Sequence, residues 1–379
     1  MSTTAWSLPE TDIFDTIRTA LDDGSPAVLA TVTAVEGSAY RRPGAKMLIR
    51  PDEDDVGSVT AGCLEDEVRD VAMDALEDGE PRIETWDLTG DDEVWGYGVG
   101  CNGVITVFVE PLDESYRPVL DARRAGNPVG VVTVVESETA AAFGSRARFE
   151  SGQWVDSAGI PDDVLDELAP ATTELVERGK AETIPVETAE GDLSVFVDGI
   201  RPSTELVIFG SGVDVTPVVE LAKLVDFRVT VVSFRGGQAD TERFPRADEV
   251  LSTSPRDVAD LRAWDEDTLA VVMSHNFLDD RLTLERLLET PVEYIGLMGP
   301  HERFGEMLEA FAEEDRVLTD DERARIYTPI GLSLGGDSPY QIAYSIVAEL
   351  LAVAHDREPQ HLSRRAGPIH ERVELDSDS

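Results

Sequence analysis

Cys63 and Cys101 are the only thiols in this 379-residue chain, and each sits in a glycine-marked turn: Ala61-Gly62-Cys63-Leu64-Glu65 and Gly98-Val99-Gly100-Cys101-Asn102-Gly103. A thiolate is a nucleophile and a ligand for soft metals. Leu64, Val68, Val71 and Leu76 recur at helical spacing after Cys63. They predict a helix with the thiol near its N-terminus, where aligned N–H groups favour the anion. The competing reading for both cysteines is burial as small apolar side chains. Neither has a C-x-x-C partner or an adjoining histidine cluster, which argues against structural zinc. A Cys63–Cys101 disulfide stays open, because spacing along the chain does not give a Cα separation.

The second chemical feature is basic. Arg41, Arg42, Lys46 and Arg50 follow Glu36-Gly37-Ser38-Ala39-Tyr40 in a chain with 77 acidic and 32 basic residues and a net charge of −45. Self-repulsion on this scale is tolerated where salt screens it, the Debye length falling to about 3 Å at 1 M. The composition therefore predicts a halophile's protein. Under such screening an anion is held by direct contacts, for which Arg41, Arg42 and Lys46 are the candidates. Pairing with local carboxylates is the alternative. Hydrophobic content of 41% and five tryptophans indicate folded cores. The acidity disfavours nucleic acid as a partner. The opening Met1-Ser2-Thr3-Thr4 lacks a basic segment followed by an apolar one, and the stretch 342–354 is too short to span a bilayer. The expectation is a cytoplasmic protein, without membrane contact, whose thiols stay reduced.

Several elements must position these groups. Helical and strand-like segments alternate irregularly through residues 1–112, predicting a mixed α/β N-terminal domain. Residues 113–200 read as an intermediate α/β segment, with no internal repeat in evidence. From Glu205 the pattern becomes regular, with apolar strands at 205–210, 228–234, 268–274 and 292–299 separated by helices. That alternation predicts a C-terminal Rossmann-like doubly wound parallel sheet over 201–355. Residues 356–379 read as a mostly disordered charged tail.

The first strand of that sheet ends in Gly210-Ser211-Gly212-Val213-Asp214-Val215. Gly210 and Gly212 match two positions of a dinucleotide-binding turn, and Val215 replaces the third glycine. Asp214 puts a carboxylate beside the expected phosphate. Ser233-Phe234-Arg235 stands where a ribose-binding acid belongs, so any dinucleotide would be NADP, with Arg235 near its 2′-phosphate. His275 and, more weakly, His301 fall at strand ends where ligands of such sheets bind.

Taken together, these segments resemble the XdhC/CoxI family of accessory proteins for xanthine dehydrogenase and related molybdenum hydroxylases. The resemblance rests on Glu36-Gly37-Ser38-Ala39-Tyr40-Arg41-Arg42-Pro43-Gly44-Ala45-Lys46-Met47, Gly57-Ser58-Val59-Thr60-Ala61-Gly62-Cys63-Leu64-Glu65 and Gly100-Cys101-Asn102-Gly103 in the first half. In the second half it rests on Ser274-His275-Asn276, Tyr294–Gly299 and Pro329–Gly336. It implies binding of the molybdenum cofactor (molybdopterin), its protection while a terminal sulfido ligand is installed, and its insertion into the subunit of an apo-hydroxylase. Further expectations are a cysteine desulfurase as sulfur donor and a homodimeric state. The resemblance makes Cys63, beside Gly62, the leading contact and metal ligand, with Cys101 second. Arg41, Arg42 and Lys46 are assigned to the cofactor's phosphate. Departures at Val213, Val215 and Ser233 count against nucleotide binding.

The leading expectation is thus a cofactor-handling chaperone without turnover of its own. Its rivals are an NADP-dependent oxidoreductase using His275 for proton transfer and an interaction protein that docks through its acidic surface. The charge density carries its own prediction. Far-ultraviolet circular dichroism should show unfolding on dialysis from molar to millimolar KCl, and an unchanged spectrum would remove the halophilic reading.

Overall fold

The computed structural model describes residues 8–89, 102–139, 141–157 and 159–364; within them the chain divides into two compact units that meet in sequence at Pro202 and Ser203. None of the described helices is long and apolar enough to cross a membrane.

The first unit lays down one pattern of elements twice. Helix α1 (Glu10–Asp23) leads into strands β1 (Val28–Ser38), β2 (Lys46–Ile49) and β3 (Val56–Gly57), then helix α2 (Glu65–Asp78) and strands β4 (Arg82–Asp87) and β5 (Asn102–Pro111). Helix α3 (Arg117–Arg124) leads into β6 (Val129–Ser137), β7 (Arg146–Glu150) and β8 (Gln153–Asp156), then α4 (Asp162–Arg178), β9 (Ala181–Thr188) and β10 (Gly191–Ile200). Their antiparallel sheets have the orders β3-β2-β1-β5-β4 and β8-β7-β6-β10-β9, which is one topology.

The equivalence extends to single hydrogen bonds. Gly44 N–H donates to the Val32 carbonyl at 2.8 Å and Val32 N–H to that of Ala45 at 2.9 Å; Gly144 N–H donates to Val134 at 2.8 Å and Val134 N–H to Ser145 at 2.9 Å. A β-bulge follows each of these valines, at Thr33 and at Val135. Thr31 lies between Lys46 and Phe108 in its sheet, as Thr133 lies between Arg146 and Phe196. The expectation of no internal repeat is therefore corrected, and the segment 113–200 is the second copy. What the copies share is register and burial pattern, which many residue choices satisfy.

Alternation along the strands gives each sheet two apolar faces. One face takes the copy's own helix: Val28, Ala30 and Val32 meet Val68, Ala72 and Ala75 of α2, while Val132 and Val134 meet Val164, Leu165 and Leu168 of α4. The other faces share cores. Leu29 and Leu48 join Val131, Ile200, Ile17 of α1 and Leu120 of α3, and Phe108 joins Val135 and Phe196.

Two ion pairs cross between the copies at equivalent positions. Lys46 Nζ of the first meets Asp198 Oδ2 of the second at 2.5 Å, and Arg146 of the second pairs with Glu110 of the first. The Lys46 ammonium lies 5.8 Å from the Phe14 ring centre, and the Arg146 guanidinium 5.5 Å from that of Tyr116. Lys46 is only 5% exposed. Burial, the largest single influence, would lower its pKa, but Asp198, Tyr116 and Glu10 together outweigh it and hold the ammonium above the ordinary lysine value. A raised cation contributes stability that is fully present below its unfolded-state pKa and is lost only as pH rises through the folded one. The pair is therefore intact across the neutral range. Among the same charges, burial pushes the Tyr116 hydroxyl up to about 12.

The second unit is a parallel sheet of β11 (Glu205–Phe209), β12 (Arg228–Ser233), β13 (Glu249–Ser252), β14 (Leu269–Val272), β15 (Tyr294–Leu297) and β16 (Ile326–Tyr327), in the order β13-β12-β11-β14-β15-β16. Helices α5 (Val215–Lys223) and α9 (Pro339–Ala354) supply one apolar layer; α6 (Phe277–Leu287) and α7 (His301–Glu313) supply the other. Helix α8 (Asp320–Ala324) precedes the edge strand β16. This is the doubly wound Rossmann arrangement expected from the sequence.

Removing one member of a buried pair costs about 3–5 kcal/mol, whereas replacing both by apolar residues of similar size is often near neutral. Urea unfolding in molar KCl should show a loss of about 3–5 kcal/mol for Asp198→Ala. It should show a much smaller loss for Lys46→Met with Asp198→Leu, and equal losses would contradict the account.

Candidate functional site

Ser38 ends β1 and Lys46 begins β2, so residues 39–45 form a turn at one end of the first sheet. Strand β3 pairs antiparallel with β2 through Met47 and Gly57, which returns residues 58–64 toward that same end. Asn102, the first residue of β5, pairs with Ser38. Three segments thus converge on one sheet edge, and Ala39 and Cys63 both pack against the core beneath α2.

Cys63 is half-buried at this edge. Gly62 before it has φ +99°, with open space where a Cβ would stand, so its backbone angle rather than crowding calls for glycine. Thr60 ties the loop together. Its buried hydroxyl donates to Glu65 Oε2 at 2.6 Å and accepts the N–H groups of Cys63 at 3.0 Å and Leu64 at 3.2 Å. Glu65 Oε1 accepts the Thr60 N–H at 2.9 Å. The expected helix-terminus effect is corrected here. The N–H groups of residues 63 and 64 are spent on Thr60 and Glu65, and the first turn of α2 carries Glu65, Asp66 and Glu67. Cys101, with Gly98 and Gly100, lies outside the described residues, as do residues 365–379 of the tail.

The basic island divides. Arg41 pairs with Glu10 at 2.7 Å on the surface, and Arg50 pairs with Glu53 and donates to the Asp54 carbonyl. Lys46 is buried on Asp198, so it is not placed to meet a phosphate from outside and leaves the direct anion-binding set. Arg42 is exposed beside an exposed Tyr40.

In the second unit, the strand order reverses between β11 and β14, the position where ligands of such sheets bind. Gly210 lets the first turn approach β14, for a Cβ there would stand 2.5 Å from the Met273 carbonyl oxygen. The Asp214 carboxylate folds back over Gly212, and His275 Nε2 lies 2.6 Å from Asp214 Oδ2. His275 has φ +61°, a left-handed conformation uncommon outside glycine. Arg235 pairs with Asp279 at 2.8 Å, while the exposed His301 opens α7 without entering this pair. An internal carboxylate thus lies where a pyrophosphate would approach Gly212. The Asp214 carboxylate gives the NADP expectation, and the oxidoreductase alternative built on it, no support.

Residues 20–87 match the model of the XdhC and CoxI family, and residues 206–350 match that of the XdhC Rossmann domain. A crystal structure of a xanthine dehydrogenase from Bacillus halodurans is 30% identical, with 93% of this chain and 97% of that one covered at a TM-score of 0.72. The chain belongs to the XdhC and CoxI family. Among curated relatives of this XdhC/CoxI chain, a probable xanthine dehydrogenase subunit from Bacillus subtilis is 29% identical over 337 residues, 87% of this chain and 94% of the relative. The molybdenum cofactor insertion chaperone PaoD of Escherichia coli is 23% identical over 344 residues, 89% of this chain and 87% of the relative.

The structure brings Cys63, Gly62, Arg41 and Arg42 to one edge of the first unit, and Gly210, Gly212 and His275 to one crevice of the second. Reading the sequence missed the parts played by Thr60, Glu65, Glu110, Arg146 and Asp198. Thr60 and Glu65 stand within the quoted cysteine motif, so their spacing around Cys63 was the available signal. The cross-copy partners become visible only once the two copies are aligned by register. Leaving buried N–H groups without partners costs about 1–3 kcal/mol each. Thr60→Val should therefore lower stability by a few kcal/mol and speed amide exchange at Cys63 and Leu64; unchanged exchange would count against Thr60 as the organiser of the loop.

Proposed function

We propose that this XdhC/CoxI protein binds the molybdenum cofactor at the Cys63 edge, shields it while its sulfido ligand is installed, and inserts it into an apo-hydroxylase of the xanthine dehydrogenase or CO dehydrogenase type. The relatives' names support a role in maturing such enzymes, and the convergence of a half-buried sulfur with an exposed arginine on one edge carries the reading for this chain. Bound there, the cofactor is cargo, and its redox chemistry belongs to the enzyme that receives it.

The residues fit that cargo. A metal already chelated by its organic group needs a further soft ligand, which Cys63 offers, with Cys101 as the second sulfur. Arg42 faces solvent and suits the phosphate. Arg41 can exchange its surface pair with Glu10 for the same phosphate, since such pairs contribute about 0–1 kcal/mol. Tyr40, exposed on the same turn, offers a ring face to the pterin. The chain does this without turnover, in the cytoplasm, as a homodimer that meets a cysteine desulfurase before its client.

Protein purified anaerobically in molar KCl should release one oxidised, fluorescent pterin per chain at most. Cys63→Ala should remove most of it, and Arg42→Glu should reduce it about tenfold, equivalent to about 1.4 kcal/mol. Pterin recovery that is unaffected by Cys63→Ala would refute the assignment.

A further inference from the structure

The two copies share a frame but not a chemistry. The glycine before α2, Gly62 at φ +99°, corresponds to Gly159 before α4 at φ +86°. Next to Gly62 stands the half-buried Cys63; next to Gly159 stands Ile160, 3% exposed and packed in the core under α4. The turn Tyr40-Arg41-Arg42-Pro43-Gly44 corresponds to one ending Ala141-Ala142-Phe143-Gly144, which carries no charge. The groups suited to cargo are confined to the first copy.

The second copy nevertheless reaches the first copy's turn. Lys46 Nζ donates to the Gly44 carbonyl at 3.0 Å as well as to Asp198 Oδ2 at 2.5 Å. A Cβ at Gly44, which has φ +93°, would lie 3.1 Å from the Ala181 Cβ and 3.3 Å from Asp198 Oδ1. Ala45 N–H closes the turn on the Arg42 carbonyl at 3.1 Å. One buried ammonium therefore links the β10 carboxylate to the carbonyl two residues after Arg42. The equivalent cation is wired differently: Arg146 donates to Ser115 Oγ at 3.2 Å besides pairing with Glu110.

We propose that the second copy positions the cofactor-facing turn of the first, with Asp198 and Lys46 as positioning residues that hold Arg41 and Arg42 without touching the cargo. This rests on the reading that the turn meets the cofactor's phosphate. A long side chain on a free turn would lose conformational freedom on binding. Fixing the turn beforehand removes part of that cost. The Lys46–Asp198 pair is thus a preorganising contact, whereas Arg146–Glu110 only joins the copies.

The two pairs supply their own control. The full-length chain in molar KCl would be compared with Lys46→Met/Asp198→Leu, with Arg146→Met/Glu110→Leu, and with Asp198→Glu, whose side chain is the one found at the equivalent position 110. Two readouts are taken: amide hydrogen exchange of residues 39–45, and fluorescent pterin retained per chain after gel filtration in molar KCl. The first double variant should stay folded, exchange the turn amides at least about tenfold faster and retain several-fold less pterin. The second should leave both readouts within about twofold of the parent, and Asp198→Glu, which keeps a carboxylate for Lys46, should keep most of the protection. Equal effects of the two double variants on turn exchange, or none from either, would overturn the proposal. Should the parent hold no pterin while turn exchange follows the expected pattern, the anchoring stands and the cofactor assignment falls.

Discussion

Burying a lysine between two sheets is tolerated only when a carboxylate meets it, and in the first unit that carboxylate comes from the other copy. Desolvating two charges costs several kcal/mol per ion, and their attraction offsets this only in good geometry. Lys46 with Asp198, and Arg146 with Glu110, therefore fix which faces of the two sheets can meet. A one-residue slip of β2 or β10 would turn the charged residue toward α2 or α4 and an apolar one toward its partner. Strand register, the paired bulges and the mating of the copies are in this way one constraint. The edge that carries Cys63 inherits it, because the turn and the cysteine loop both leave the ends of register-locked strands.

Duplication separates two demands that conflict in a single module. A turn that presents arginines to solvent gains nothing from its own exposed residues and must be held from behind. In the second copy the corresponding positions are apolar: Ile160 is buried in the core, and Phe143, still partly exposed, packs edge-on against Phe108 of the first copy at 5.6 Å. The two copies thus differ most at the sheet end where function is assigned and least in the strands that join them.

The Rossmann unit shows a different separation, between a fold and its usual ligand. The glycine turn and the strand order are kept, but Asp214 and His275 meet across the reversal point, and His275 is held left-handed there. For a non-glycine residue that conformation costs about 1–2 kcal/mol. Asn276 next to it caps α6 through bonds to the N–H groups of Leu278 and Asp279, and Ser274 before it donates to the buried Asp280. The strained residue is thus clamped by well-bonded neighbours on both sides. Such strain is maintained where the surroundings over-determine it, and its location at a ligand-binding position marks the pair as something other than loop filler.

What the sequence made legible follows from the range of each interaction. The C-terminal sheet was readable because its strands are buried on both faces and appear as unbroken apolar runs such as Leu206–Phe209 and Leu269–Val272. The cysteine loop was readable because glycine, thiol and helix are adjacent in the chain. The duplication was not, since its evidence is backbone hydrogen bonds at matching registers, for which Ala45 and Ser145 serve alike. Nor was the fate of Lys46: within the basic island 41–50 it reads as a surface cation, and its charge alone does not distinguish it from Arg42. Its partner lies 152 residues away, reached only because β10 repeats β5 and sets Asp198 where Glu110 stands in the first copy. A cation with no carboxylate beside it in the sequence is therefore better judged by the face of the strand it occupies than by the charges beside it. Lys46 falls on the same strand face as Leu48, which already belongs to the shared core, and that alternation was the one local clue to its burial.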